Sequence, residues 1–375
     1  MSMHRVLGFF FSLCGTFLLH AQEPLRMDFA GQLSAIGMYA HKGQSVLANG
    51  RYIPELRIKK VFKENSMLDF EVSANVYGSV QHNEERGTAW DGKIKPYRAY
   101  ARYTNVKSEW RVGLQKINFG SAQIFRPLMW FDRVDPRDPL QLTDGVWAAL
   151  FRYYFPNNAN LWLWGLAVNK DLKGWEFLHT ANGFSPEAGG RYQHPIPLGE
   201  AALSYHYRQV ESLNNSFLSP EHRLGLDVRM DYEVGMWMEG SWVHLPKSMP
   251  SFRNQTMLTV GMDYTLPMGN GVGLTAEHLF FSVGDRAFSS QRQTNFSALS
   301  LNYPLTMFDS LSAFVYYNWD ASNVYSFVNW QKQLNAFTFH LIGYWNPSDY
   351  VVPGQGVDNT LFAGAGVQCM VVWYH

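Results

Sequence analysis

The chain has 375 residues, with 31 basic and 31 acidic side chains, 16% aromatic residues, 17% charged residues and two cysteines. A net charge of zero argues against the basic surface that nucleic acid requires, so no nucleic-acid partner is expected. Beyond residue 21 no stretch approaches the roughly 20 apolar residues of a membrane-spanning helix, which excludes a helical membrane protein.

The chain opens with His4 and Arg5, then an apolar run from Val6 to Leu19, then Ala21. This is the pattern of a secretory signal peptide over residues 1–21, cut before Gln22. A lipoprotein reading with Cys14 as the acylated residue fails, because Leu13 is too large for the preceding position and the apolar run continues past the cysteine. The mature chain then keeps Cys369 alone, so disulfides do not stabilise it.

From there the sequence alternates with period 2. In residues 67–80, Leu68, Phe70, Val72, Ala74, Val76 and Val80 fall on one face and Asp69, Glu71, Ser73, Asn75 and Ser79 on the other. Such alternation predicts a strand with one apolar and one polar face. In 95–104, Tyr97, Ala99, Ala101 and Tyr103 oppose Arg98, Tyr100 and Arg102; in 109–116, Trp110, Val112 and Leu114 oppose Glu109, Arg111 and Gln115. The stretches 200–210 and 222–232 repeat the pattern with charged polar faces.

About 18 runs begin near 28, 51, 67, 94, 108, 146, 160, 189, 199, 220, 234, 252, 271, 293, 310, 324, 335 and 361; 16 is the alternative count. Short links at 63–66, 105–108, 156–159, 198–199, 231–233, 267–271, 307–310 and 332–333 follow the even-numbered runs. Longer links, among them 40–50, 81–93, 120–145 and 170–188, mostly follow the odd ones. This alternation fits a transmembrane antiparallel β-barrel of the cell outer membrane, residues 22–375, with tight periplasmic turns and longer outer loops. A soluble all-β fold shares the alternation but not rings stationed at both strand ends, as Trp110, Tyr153, Phe155, Trp319, Trp345 and Trp373 are here.

Residues 120–145, the third and longest outer loop, match neither the strand nor the helix period. Pro127, Pro136 and Pro139 set non-helical turns, and Phe125, Leu128, Met129, Trp130 and Phe131 are suited to docking on an inner wall. Arg126, Asp132, Arg133, Asp135, Arg137, Asp138 and Asp144 would face water. A wide barrel leaves an aqueous channel, so this segment is read as an inward-folded constriction loop. A solvated surface loop is the plainer alternative, and a calcium site is disfavoured by the interleaved arginines.

The stretch from Arg111 to Trp147, continued by 152–176, resembles a largely uncharacterised family of porin-like outer-membrane barrels of the Bacteroidota. The resemblance is sharpest over 111–176 and implies an outer-membrane channel without a defined solute. Such barrels commonly end in an aromatic residue read by the barrel-insertion machinery, whereas this sequence ends in Tyr374 and His375. By analogy a homotrimer in outer-membrane lipid is expected.

The polar faces of the early runs carry Glu55, Arg57, Lys59, Asp69, Glu71, Arg98, Arg102, Glu109, Arg111 and Arg152. Set around a channel they create a transverse field with a lean toward anions, and they also pair across strands to stiffen the wall. The histidines show no zinc or hydrolase spacing, and His206, His278 and His340 read as wall or girdle residues. No metal, cofactor or catalytic residue is expected. The reading is a porin, a passive diffusion channel for small hydrophilic solutes. Its constriction is Arg126, Asp132, Arg133, Asp135, Arg137 and Asp138, facing the arginines of the wall. The alternatives are a channel specific for an organic acid, phosphate or sugar with Tyr100, Trp130 and Tyr154 as an aromatic track, a barrel enzyme acting on lipid, and an adhesion barrel.

Overall fold

A computed structural model of the chain describes residues 25–62, 65–84, 87–134, 138–181, 185–211, 218–247, 253–289, 292–348 and 362–375. The expected signal peptide, Asp135, Pro136 and Arg137 lie outside the described residues. The first strands are β1 (Arg26–Ala40), β2 (Ser45–Phe62), β3 (Ser66–Asn83), β4 (Gly87–Thr104), β5 (Ser108–Gln115) and β6 (Val146–Tyr154). They are followed by β7 (Asn160–Leu166), β8 (His179–Thr180), β9 (Glu187–Ile196), β10 (Gly199–Glu211), β11 (Leu218–Asp231), β12 (Gly235–His244) and β13 (Asn254–Leu266). The last are β14 (Val272–Gly284), β15 (Arg292–Pro304), β16 (Asp309–Asn318), β17 (Asn323–Leu334), β18 (Phe337–Trp345) and β19 (Ala365–Tyr374).

Among the described residues 18 of the 19 strands each pair antiparallel with two ring neighbours, β1 with both β2 and β19, and so close into a barrel. The two-residue β8 lies outside the ring, paired only with the end of β10. Closure leaves no open edge, which is the condition for strands to cross a hydrocarbon layer.

The faces are inverted relative to a soluble domain. On β3 the polar residues Asp69, Glu71, Ser73 and Asn75 are buried inside, while Val72 is 57% exposed on the outer surface. Leu203, Leu226, Val260 and Leu341 are likewise outside, and Arg208, Asp227 and Glu239 inside. Trp110 by the turn at 105–107, and Trp319 and Trp345 at the opposite strand ends, stand exposed at the two rims. An apolar band between aromatic girdles is the surface a bilayer demands.

Two expected outer links proved short. β2 begins at Ser45 and β4 at Gly87, so the links there are 41–44 and 84–86, not 40–50 and 81–93. The cause in β4 is a β-bulge: Ser73 opposes Arg98 and Ala74 opposes Pro96, which leaves Tyr97 as the extra residue. A bulge switches strand parity, so the alternation read from Arg98 onward does not continue upstream. Above the bulge Lys93 and Lys95 line the lumen, while Trp90 and Ile94 are 79% and 75% exposed outside. Tyr97, placed by its alternation on the apolar face, instead lines the interior cavity. The turn expected at 332–333 lies at 335–336.

Candidate functional site

The lumen is occupied by two outer connections, 116–145 and 167–186, that fold into it. The first leaves β5 beyond Gly113, whose φ of +127° and contact with the Ala99 carbonyl admit only glycine. Phe125, Leu128, Met129, Trp130 and Phe131 are all buried. Phe125 packs on Phe296 and Tyr316, with ring centroids 6.1 and 5.7 Å away, and Phe131 packs edge-on against Trp164 at 5.4 Å. The Trp130 indole N–H donates to Ser241 Oγ at 3.0 Å.

Two buried carboxylates of the wall hold the backbone of this segment. Glu239 on β12 accepts from the N–H of Ala122 at 2.8 Å and of Leu128 at 2.6 Å. Glu277 on β14 accepts from Gln123 at 2.6 Å, Ile124 at 3.0 Å and Phe125 at 2.6 Å, and from the Trp237 indole N–H at 2.9 Å. An irregular segment has no ladder for its N–H groups, so inside a barrel it needs such acceptors. Neither glutamate stands out in the sequence. Parity puts both on inner faces, but so it does for every lumen charge.

The second connection, which was expected only as an outer loop, locks onto the first. The Trp175 indole N–H donates to the Arg126 carbonyl at 2.8 Å, and Gly174, at φ +45°, lies against the Met129 carbonyl. Below it, Arg208 pairs with Glu176 at 3.0 Å and Glu221 at 2.7 Å, and Arg223 pairs with the same two acids. His206 is fully buried there, with Trp164 donating to Nδ1 at 3.1 Å and Glu187 3.1 Å from Nε2. This is a packed plug against β9–β11, not pore wall, which corrects the expectation for His206.

A cavity of about 990 Å³ lies between the loops and β2–β4. Arg51, Lys93, Lys95, Arg133, Asp132, Asp138 and Asp144 contribute to its lining. Asp132 does not face open water as expected: it is 3% exposed and pairs with Arg126 at 3.5 Å. Arg133 is exposed and donates to the Gly174 carbonyl at 3.4 Å. Asp138 accepts from the N–H of Leu140 at 3.0 Å and of Leu142 at 3.4 Å.

On the wall the arginines are largely compensated. Arg57 meets Glu55 at 2.5 Å and Glu71 at 3.4 Å, Arg102 meets Asp69 at 2.9 Å, and Arg111 and Arg152 share Glu109 at 2.8 and 3.6 Å. Arg98 has no carboxylate partner among the described residues; it stacks on Tyr97 at 4.0 Å and donates to the Thr143 carbonyl at 3.0 Å. Lys59 is exposed. Of the expected aromatic track, Trp130 is buried in the loop packing, and Tyr100 donates its hydroxyl to Glu71 at 2.7 Å.

Burial raises the pKa of Asp132, and the attraction of Arg126 and Lys116 offsets this only in part. An acid whose docked pKa is raised favours docking when protonated, so docking weakens as pH climbs from the ordinary carboxylate range through the raised value. Single-channel conductance is therefore expected to be lower at about pH 4 than at about pH 7, with the difference reduced in Asp132→Asn. Equal conductance at both values would count against it.

No family model and no curated protein matches the chain. Among solved structures it is similar to Pseudomonas aeruginosa OccD3 (OpdP) at TM-score 0.59 and 9% identity, covering 95% of this chain and 92% of that one. It is also similar to Acinetobacter baumannii OccAB1 at TM-score 0.58 and 9% identity, covering 95% and 97%. OmpT, an outer membrane protein of Vibrio cholerae solved in a trimer form, aligns at TM-score 0.50 and 9% identity over 94% and 100%. The chain has a porin-like β-barrel fold, closed by 18 strands, with its apolar face turned outward as a membrane requires. At these identities the likeness concerns the fold, and what passes through the barrel has to be argued from its own residues.

Proposed function

We propose that the barrel is a passive diffusion channel for small hydrophilic solutes, narrowed by the segment 116–145. The observation that carries this reading is the segment's pinning across the lumen by Glu239 and Glu277, with a polar cavity left open on the β2–β4 side. Steric exclusion and the local field of Arg98, Arg126, Asp132, Arg133 and Asp138 then set the bore, and flux follows the solute gradient. The mechanism needs no covalent step. The near-complete pairing of the wall arginines supports a weak charge preference in place of the anion lean of their raw count.

The test is planar-bilayer conductance of the refolded chain beside a variant in which Ser121 to Thr143 are deleted. Current that rises on deletion is expected. Current without change would return the segment to a surface role, and silence from a folded barrel would remove the channel reading. A homotrimer belongs to the same reading, by analogy with the trimer form of OmpT; cross-linking in detergent to a species of three chains would support it.

A further inference from the structure

Several charges that line the 990 Å³ cavity are already paired. Lys95 meets Asp144 at 2.6 Å, Asp132 meets Arg126, and Lys173 meets Glu187 at 2.9 Å. Arg51, Lys93 and Asp171 have no ion-pair partner among the described residues; nor has Arg133, which donates instead to the Gly174 carbonyl.

The first two are not scattered. Arg51 opposes Tyr77 in the β2–β3 register, and Tyr77 opposes Lys93 in the β3–β4 register. Arg51, Tyr77 and Lys93 thus form one row across three strands at one height of the inner wall. Neighbours in such a row sit about 5 Å apart, so the two cationic side chains leave the inner wall on either side of the tyrosine. The Arg51 guanidinium already lies 5.7 Å from the Tyr77 ring, and its Nε has no hydrogen-bond partner. The bulge at Tyr97 creates the row, because it turns Lys93 inward. Asp171 comes from the other side of the cavity, on the infolded connection 167–186.

We propose that this cavity is a binding site for an amino-acid-sized zwitterion. Its anionic oxyacid group lies in the Arg51–Tyr77–Lys93 row and its ammonium group faces Asp171. The proposal rests on the channel reading above and narrows it from small hydrophilic solutes to one charge class. A lone anion would leave Asp171 unpaired beside it, and a lone cation would meet the two wall cations. The flanking Tyr97 ring gives the solute backbone an apolar edge.

The test is uptake of labelled probes into liposomes holding the refolded barrel, with glycylglycine as zwitterion, N-acetylglycine as anion, glycinamide as cation and N-acetylglycinamide as neutral control. Glycylglycine is expected to enter about fivefold faster than either singly charged probe, the order of one partly screened ion pair. Exchanging both cations, Arg51→Gln with Lys93→Gln, is expected to bring it down to the neutral rate. Asp171→Asn is expected to turn the preference toward N-acetylglycine. An unchanged N-acetylglycinamide rate in each variant shows that the barrel is intact. N-acetylglycine entering as fast as glycylglycine, or a zwitterion preference that survives the double exchange, overturns the site while the channel stands. Exclusion of all four probes overturns the channel reading itself and the site with it.

Discussion

Glu277→Ala is expected to free residues 120–128 from the wall and raise single-channel conductance toward that of the loop-deleted barrel. Glu277 accepts four N–H groups, three from the loop backbone and one from Trp237. A buried donor deprived of its acceptor costs about 1–3 kcal/mol, and lumen water recovers part of that. A net loss on the order of 3 kcal/mol lowers the docked population by roughly a hundredfold. Glu239 serves only Ala122 and Leu128 of the loop, so Glu239→Ala is expected to have the smaller effect. Glu277→Gln keeps one acceptor oxygen and turns an amide NH₂ on the remaining donors, which places it between the parent and the alanine variant. Trypsin gives a readout independent of current, since Arg133 should become cleavable once the segment leaves the wall. Unchanged conductance together with a protease-resistant loop in Glu277→Ala would show that the apolar contacts of Phe125 and Trp130 suffice to hold it.

How far the sequence carried this picture follows from the ranges of the forces involved. Strand existence is a local property: alternation along 67–80 or 109–115 is forced by the pleat and by what each face touches, so the strands stood out residue by residue. The bulge at Tyr97 is a relation between two strands, and it hid both the upper half of β4 and the inward aim of Lys93 and Lys95. The infolded loop was legible in part, because prolines next to five large apolar residues suit neither solvent nor a regular element. Its anchors were not, since the distance in sequence from Phe125 to Glu277 carries no local signal. The connection 167–186 failed for a related reason. Its Trp175 and Glu176 resemble ordinary loop residues until Arg126, Arg208 and Arg223 are brought to them. Charges were the least readable of all, because whether Arg102 is a free pore cation or the partner of Asp69 depends on cross-strand register.

The second large effect concerns the outer face, where Val72→Arg is expected to block assembly of the barrel into lipid while Ser73→Arg is tolerated. The two positions are adjacent on β3, but Val72 is 57% exposed on the apolar surface and Ser73 is 4% exposed inside the lumen wall. An arginine on the lipid face near the middle of the bilayer costs about 2–4 kcal/mol, falling toward zero at the interfaces. At position 73 the guanidinium reaches lumen water and sits near Glu55, its cross-strand partner, so the cost is that of crowding. Refolding into liposomes, followed by urea titration of the inserted fraction, measures the difference directly. A soluble fold would reverse the order, with the arginine accepted at the exposed Val72 and rejected at the buried Ser73. The sign of this one comparison therefore tests the inversion of inside and outside on which every statement about the lumen depends.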